Sequence, residues 1–395
     1  MSHLEYYTRH GISPVHYDVT NLITHFERRQ SLYRSLGVLP LAVRNASVLE
    51  VAAGSGQNSL FIASLMPRNL TLLEPNATGV AEIRSLYETQ TIQHTKPVIH
   101  EIRLEDYVTE SKFDIVICEN WLGSSAHERR LLRKLATFVA DDGIMVVTAI
   151  SPVGLLPNMI RRALAAQMWN TGMSFETRTT QLVAAFAPHL ATMKSMTRNA
   201  IDWVHDNMMN PAYFDLCLTI PMVLRELGAS FQVLGTSPSF AQDWRWFKSL
   251  HGSNRSFNEH FLQQYAAQSH NFLDYRDELG HDSGIDNDSL ERPAMEFIAT
   301  VREFETCVQQ ELAGRDEAQA AIVEALEHIA VTLKSFPERN LFGLREAIDF
   351  LSQRNVNPAA IGNMPHFKGL FGRETLYVSL LWDRAAATVT EVKGA

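Results

Sequence analysis

The chain has 395 residues, 46% of them apolar, which is ample for one large core or two modest ones without disulfide or metal staples. A formal charge of −9 argues against nucleic acid and other polyphosphate partners, which bind through clustered lysines and arginines, whereas the pairs Arg28-Arg29, Arg129-Arg130 and Arg161-Arg162 are scattered. Cys118, Cys217 and Cys307 form no CxxC spacing, predicting reduced, buried thiols, no metal centre and a cytoplasmic setting, and no apolar run reaches the ~18 residues of a membrane span. The opening Met1-Ser2-His3-Leu4-Glu5-Tyr6-Tyr7 has neither a basic start nor an apolar core, so no secretory leader is expected.

In chain order, residues 1–44 predict a helical segment whose apolar face joins Leu22, Ile23, Phe26, Tyr33 and Leu36 and ends near Gly37. Tyr6, Tyr7, His16 and Tyr17 precede that helix. The run Ser47-Val48-Leu49-Glu50-Val51 is short, apolar and β-branched, and it breaks into Ala52-Ala53-Gly54-Ser55-Gly56-Gln57-Asn58-Ser59-Leu60, where a helical pattern begins. This is a strand, a tight turn and a helix. Glycines at such a turn let the backbone approach a ligand, and the free N–H groups of the new helix face it. A second run, Leu70 to Leu73, ends at Glu74, eighteen positions past Gly56, where parallel nucleotide-binding sheets place an acid on two ribose hydroxyls. The ligand therefore contains a nucleoside.

Pro97 to Ile102 predicts a third strand, followed by Leu104-Glu105-Asp106-Tyr107. Phe113 to Trp121 predicts a fourth strand carrying Glu119 and Asn120 at its end. Leu131, Leu132, Leu135, Phe138 and Val139 fall at helical spacing, and Asp141-Asp142-Gly143 turns the chain into a fifth strand, Ile144 to Thr148. Ser230 to Gly235 and Glu374 to Trp382 predict two more strands, so the sheet closes only near residue 380. The expectation is an α/β, Rossmann-like, mostly parallel seven-stranded sheet with helices on both faces. Its core spans 45–153, 230–239 and 371–395. Inserts after the fifth and sixth strands, 154–229 and 240–370, show helix-length patterns such as Ile322, Val323, Leu326, Ile329 and Leu333, and predict a helical cap that chooses the substrate.

Two cofactor classes use this geometry. A dinucleotide fingerprint calls for a third small residue where Ser59 stands and makes no use of an acid at Glu50. The segment Glu50-Val51-Ala52-Ala53-Gly54-Ser55-Gly56 instead resembles motif I of the class I S-adenosylmethionine-dependent methyltransferases, and the resemblance covers about residues 45–150 and the final strand. Ala52 stands where that family has its first glycine, which is tolerable if its φ stays negative. The resemblance implies S-adenosylmethionine as cofactor, held by Glu50, Ala52, Gly54, Ser55, Gly56, Asn58, Glu74 and Pro75. It further implies Asp106 or Glu105 at the adenine amino group, and Glu119 and Asn120 beside the methionine portion. It also implies that residues 1–44 pack over the cofactor as a lid.

The implied activity is methyl transfer to an O, N or C nucleophile of a small-molecule metabolite. Attack at the aminocarboxypropyl carbon, giving transfer or cyclisation of that chain, and a non-catalytic binding protein remain open alternatives, because fold does not separate them. Such chemistry needs alignment and exclusion of water more than a base. If the acceptor must lose a proton, His205 is the first candidate, with Asp206 and His16 behind it. The dense polar and aromatic segment Asp202 to Phe214 reads as a binding wall, so Tyr17, Trp121, Trp203, Asn207 and Tyr213 are the expected substrate contacts. Within it Asn210-Pro211-Ala212-Tyr213 is similar to the signature of amino-methylating DNA enzymes, but no strand precedes it, and a proline opening a helix accounts for it better. Eight of the thirteen methionines lie between Met159 and Met222, serving a pliable core or a pliable pocket. The acids from Asp274 to Glu291 lack calcium-loop spacing and predict a solvated surface loop.

Overall fold

Apolar, β-branched runs buried on both faces become the central strands of one sheet. The computed structural model describes residues 2–12, 19, 21–169, 172–196, 198–277, 287–333, 336–354 and 356–383. The strands are β1 Ser47–Val51, β2 Asn69–Leu73, β3 Val98–His100, β4 Phe113–Cys118, β5 Val139–Ile150, β6 Phe231–Ser237 and β7 Thr375–Trp382. They form one α/β, Rossmann-like seven-stranded sheet in the order β3-β2-β1-β4-β5-β7-β6. All pairs are parallel except those of β7, which runs antiparallel to both β5 and β6. The helices are α1 His3–His10, α2 Leu22–Ser35, α3 Pro40–Val43, α4 Gln57–Ser64, α5 Ala77–Thr89, α6 Ala126–Ala136, α7 Pro152–Gln167, α8 Phe175–Leu190, α9 Ala200–Trp203, α10 Ile220–Leu227, α11 Phe257–Gln268, α12 Asp288–Gln309, α13 Arg315–Thr332, α14 Glu338–Leu351 and α15 Pro358–Gly362.

The chain divides into two compact units. The sheet unit holds the residues through Ile150, Asp215–Tyr265 and those from Thr375; the second, helical unit holds Ser151–Phe214 and Ala266–Glu374. The sheet unit is larger than the sequence pattern implied, because residues 215–265 belong to it. Glu226 of α10 pairs with Arg129 and Arg133 of α6. Asn258 bonds the β6 backbone at Phe231 and Val233. These polar contacts carry no hydrophobic periodicity and so left no mark in the sequence.

Helix α2 is fixed to the far side of the sheet. The Ser379 hydroxyl of β7 donates to the Leu36 carbonyl at 2.6 Å. Gly235 of β6 lies so close that a Cβ there would stand 2.6 Å from the Ser35 carbonyl oxygen. Tyr33, Leu36, Phe61, Leu60, Ile83 and Ile115 then share one core. Ile23, expected on that face, is exposed, since the buried stripe runs through Leu22, Phe26, Arg29, Tyr33 and Leu36 instead.

The structure revises four further expectations. The third strand is only three residues long, as befits an edge strand with Val98 exposed. Asp141-Asp142-Gly143 is an irregularity within β5, with Asp142 at φ +59°, rather than a turn ahead of it. Asp274 is no solvated surface acid but fully buried, paired with Arg276 and Arg339, while 278–286 lie outside the described residues. Cys118 and Cys217 are buried, but Cys307 is only half-buried.

In the helical unit α7 is buried along all of its length. Arg162 satisfies its charge on Glu305 at 2.8 Å and on the carbonyls of Asn207 and Asn210, while Arg161 donates to the Pro157 and Lys368 carbonyls and faces the Phe371 ring. These arginines are thus internal struts. Among the described residues no helix is long and apolar enough to cross a membrane. Gly235→Ala should push α2 off the sheet and destabilise the protein by about 1–3 kcal/mol, read as a lower denaturant midpoint with an unchanged slope.

Candidate active site at the switch between β1 and β4

In an open parallel sheet the connections leave a crevice at the carboxyl edge where strand order reverses, which here lies between β1 and β4. The turn after β1 enters it. Ala52, Gly54 and Gly56 all have positive φ, at +59°, +59° and +77°. Ala52 therefore does not meet the condition set for it; it is a Cβ-bearing residue in a left-handed conformation, at a cost of about 1–2 kcal/mol. Gly56 is the N-cap of α4 and, lacking a side chain, caps none of its N–H groups. A Cβ at Gly56 would lie 2.9 Å from Ile83, and one at Gly79 would lie 2.7 Å from the Gly54 carbonyl, which is how α5 presses the turn into shape.

Glu74, at the end of β2, is buried and clamps two turns at once. One oxygen accepts from the Gly54 N–H at 2.7 Å and the other from the Asn76 N–H at 2.9 Å. Each oxygen keeps an unused lone pair. Burial raises its pKa to about 7, against the pull of those two amides. Asn76 caps α5 through the Thr78 N–H and donates to the Ile12 carbonyl, so the segment after α1 touches the same corner.

At the end of β4, Glu119 accepts from Arg29 Nη2 at 2.7 Å and from the Tyr33 hydroxyl at 2.8 Å. Both donors come from α2, whose His25 Nε2 also donates to the Gln57 carbonyl at the start of α4. Glu50, in β1, is raised to about 7 by burial and by the charge of Glu119, with Ser59 and Arg29 acting the other way. Glu50 Oε2, Glu119 Oε2, Arg29 Nε and Ser59 Oγ are buried with no hydrogen-bond partner among the described residues. Asn120 takes φ +56°, donates its N–H to Thr148 Oγ1 at 2.8 Å and reaches the Tyr377 hydroxyl of β7 at 3.4 Å.

The expected cofactor residues Glu50, Ala52, Gly54, Ser55, Gly56, Asn58, Glu74, Pro75, Glu119 and Asn120 thus follow β1, β2 and β4 around one edge. Glu105 and Asp106 follow β3, where Glu105 lies 3.0 Å from His127 of α6 and Asp106 is exposed. Trp121 is half-buried beside Asn120. His16 and Tyr17 lie outside the described residues. His205, Asp206, Trp203, Asn207 and Tyr213 belong to the helical unit, in α9, a π-helical turn Val204–Met209 and a 3-10 turn Pro211–Leu216 rather than a loop. There Thr179 bonds His205 at 3.0 Å, Arg198 holds Asp206 at 2.8 Å, Asn207 donates to the Trp203 carbonyl, and Asn158 donates to the Tyr213 hydroxyl. Pro211 does open a helical turn, and the Asn210 side chain accepts from the Ala212 N–H.

Sequence reasoning passed over Arg29, His25 and Tyr377. Arg29 carries a signal, since it stands three residues after Phe26 and four before Tyr33 on an otherwise apolar stripe.

Neither a protein-family model nor a curated protein matches the sequence. Among solved structures, the chain is similar to magnesium protoporphyrin IX methyltransferase from Synechocystis with bound S-adenosylmethionine, at 16% identity over 32% of this chain and 60% of that one, with a TM-score of 0.28. It is also similar to the N-methyltransferase NodS from Bradyrhizobium japonicum in complex with S-adenosylhomocysteine, at 16% identity over 33% and 65% of the two chains, TM-score 0.27. The glycopeptide N-methyltransferase MtfA matches at 21% identity over 26% and 46%, TM-score 0.24. The chain thus spans under two thirds of the length of each of these three proteins.

Two outcomes are expected. Ala52→Gly relieves the left-handed alanine and should stabilise the protein by about 1 kcal/mol in denaturant titration. Glu50 and Glu74 bind protons more tightly folded than unfolded, so the stability they contribute is complete below about 4.5 and is lost as pH rises through about 7. Their contribution to Tm should therefore fall across that window, and Glu50→Gln should flatten part of the fall; a slope unchanged by that substitution would show Glu50 to be ionised throughout.

Proposed function

We propose that this chain is a class I methyltransferase that binds S-adenosylmethionine along the carboxyl edge of β1, β2 and β4 and transfers its methyl group to a nucleophile of a small molecule. The observation carrying this is the pair of buried, incompletely bonded carboxylates, Glu50 and Glu119, at the switch point. Carboxylates at that place repel a pyrophosphate and attract a cation, which separates a sulfonium nucleoside from a dinucleotide. The residues present suit such a ligand. Glu74 keeps two acceptor sites for sugar hydroxyls, and the uncapped start of α4 and the glycine turn let backbone approach it.

When bound, S-adenosylmethionine supplies a methyl group on a positively charged sulfur that leaves as a neutral thioether. The protein's tasks are to hold that group in line with the acceptor and to keep water out. Glu74 fixes the sugar, and Glu50, once ionised, provides counter-charge to the sulfonium without itself reacting. For an acceptor that must lose a proton we propose His205, with Asp206 and His16 as the remaining candidates, and for acceptor contacts Trp121, Trp203, Asn207, Tyr213 and Tyr17. The acidic charge of the chain favours an amphipathic metabolite over a nucleic acid.

Glu74→Ala should weaken adenosylhomocysteine binding by about 1–3 kcal/mol in calorimetry; an unchanged affinity would remove Glu74 from the sugar. Incubating the protein with extracts of candidate metabolites and labelled cofactor should yield adenosylhomocysteine. Methylthioadenosine instead would mean transfer of the aminocarboxypropyl chain, and no product a binding protein.

A further inference from the structure

We propose that segment 243–255, between β6 and α11, is a peripheral membrane contact that seats Trp244, Trp246 and Phe247 in the headgroup layer of an anionic lipid surface. Trp244 is 88% exposed, Trp246 64% and Phe247 67%, and the Trp246 and Phe247 rings lie 5.1 Å apart. Clustered aromatics left in water forfeit the burial that large rings contribute, and such patches mark contacts with a partner or a membrane.

The segment is held in shape from within. Arg245 bonds both oxygens of Asp243, the carbonyls of Asn254 and Arg255 and the Ser256 hydroxyl, which closes the two ends of the segment on one guanidinium. Arg255 bonds Asp383, the residue after β7, at 2.7 Å, and Asn258 bonds the Phe231 carbonyl at the start of β6. Phe231 pairs with Trp382, and the preceding Leu381 lies level with Ile144 and, through it, with Ile115 near the start of β4. These ties fix the segment to the amino edge of the sheet, opposite the carboxyl edge that forms the proposed cofactor crevice. The arginine is thus used inward while the three rings stay in solvent.

Charge and composition select the occupant. Tryptophan and phenylalanine beside lysine are the residues of membrane interfaces, where amphipathic indoles sit at headgroup level and basic side chains meet lipid phosphates. Lys248 holds its ammonium 5.7 Å from the Trp246 ring centroid and 6.0 Å from that of Phe247. Segment 243–255 carries three basic residues and one acid, and that acid is paired with Arg245, on a chain whose formal charge is −9. A basic, aromatic spot on an acidic protein is the complement of an anionic bilayer. Rings standing this far out of the surface enter a fluid headgroup layer without the matched pockets that a protein partner must supply.

The test is co-sedimentation of the full chain with sucrose-loaded vesicles. Vesicles of equal parts phosphatidylcholine and phosphatidylglycerol should pellet the protein and shift its tryptophan emission to the blue, and phosphatidylcholine alone should pellet far less. The triple variant Trp244→Ser, Trp246→Ser, Phe247→Ser should lose about tenfold in partitioning with Tm unchanged, since all three rings are exposed. If it fails to fold, Trp244→Ser alone, at the most exposed position, should still lower pelleting, and Lys248→Glu should weaken binding to the anionic vesicles only. Wild-type protein that stays in the supernatant with both vesicles, or variants that pellet as it does, would overturn the proposal. Dimerisation in sedimentation velocity that the triple variant abolishes, without pelleting, would assign the rings to a second copy instead. Iodide quenching of vesicle-free protein that is the same in wild type and triple variant would show the rings covered by the chain itself. Either result overturns the membrane contact.

Discussion

Carboxylates taken out of water at neighbouring strand ends must find counter-charge and hydrogen bonds or hold a proton more tightly. Glu119 is bonded to Arg29 and Tyr33, whereas Glu50, with no guanidinium of its own, is raised by burial to about 7. That compensation depends on α2 lying where it does. Its position in turn depends on Ser379 and Gly235 receiving the helix end on β7 and β6. The last strand of the sheet and Glu119 at the end of β4 are therefore linked through α2.

The turn after β1 shows the same economy. Glu74 joins the Gly54 and Asn76 amides and thereby fixes the ends of β1 and β2 relative to each other. That clamp, with α5 pressed against Gly54 through Gly79, holds Ala52 in a conformation it would not choose. The left-handed Ala52 is thus local strain held in place by its surroundings.

Much of the sheet was legible because its central strands are buried on both faces and read as unbroken apolar runs, and Glu50, Glu74 and Glu119 stood out as acids at the ends of those runs. What was not legible has two physical causes. Residues joined by polar or backbone contacts leave no periodicity, so the sequence pattern does not show that 215–265 belong to the sheet unit or that the third strand stops at His100. Arg29 was hidden differently. With Arg28 it reads as one of several scattered arginine pairs, although its place on the stripe of Phe26, Tyr33 and Leu36 marks it as buried. The polar segment 202–214 reads as a loop because its amides and aromatics break the apolar periodicity, yet it forms a π-helical turn and a 3-10 turn.

A positively charged nucleoside, rather than a pyrophosphate, is the proposed occupant of the switch point. Thermal unfolding of the wild-type protein against adenosylhomocysteine and against a nicotinamide dinucleotide addresses it most directly. Ligand that binds only the folded state at about a hundred times its Kd adds roughly 2.7 kcal/mol, so adenosylhomocysteine should raise Tm by several degrees and the dinucleotide should leave it unchanged. Stabilisation by the dinucleotide with none by adenosylhomocysteine would contradict the account.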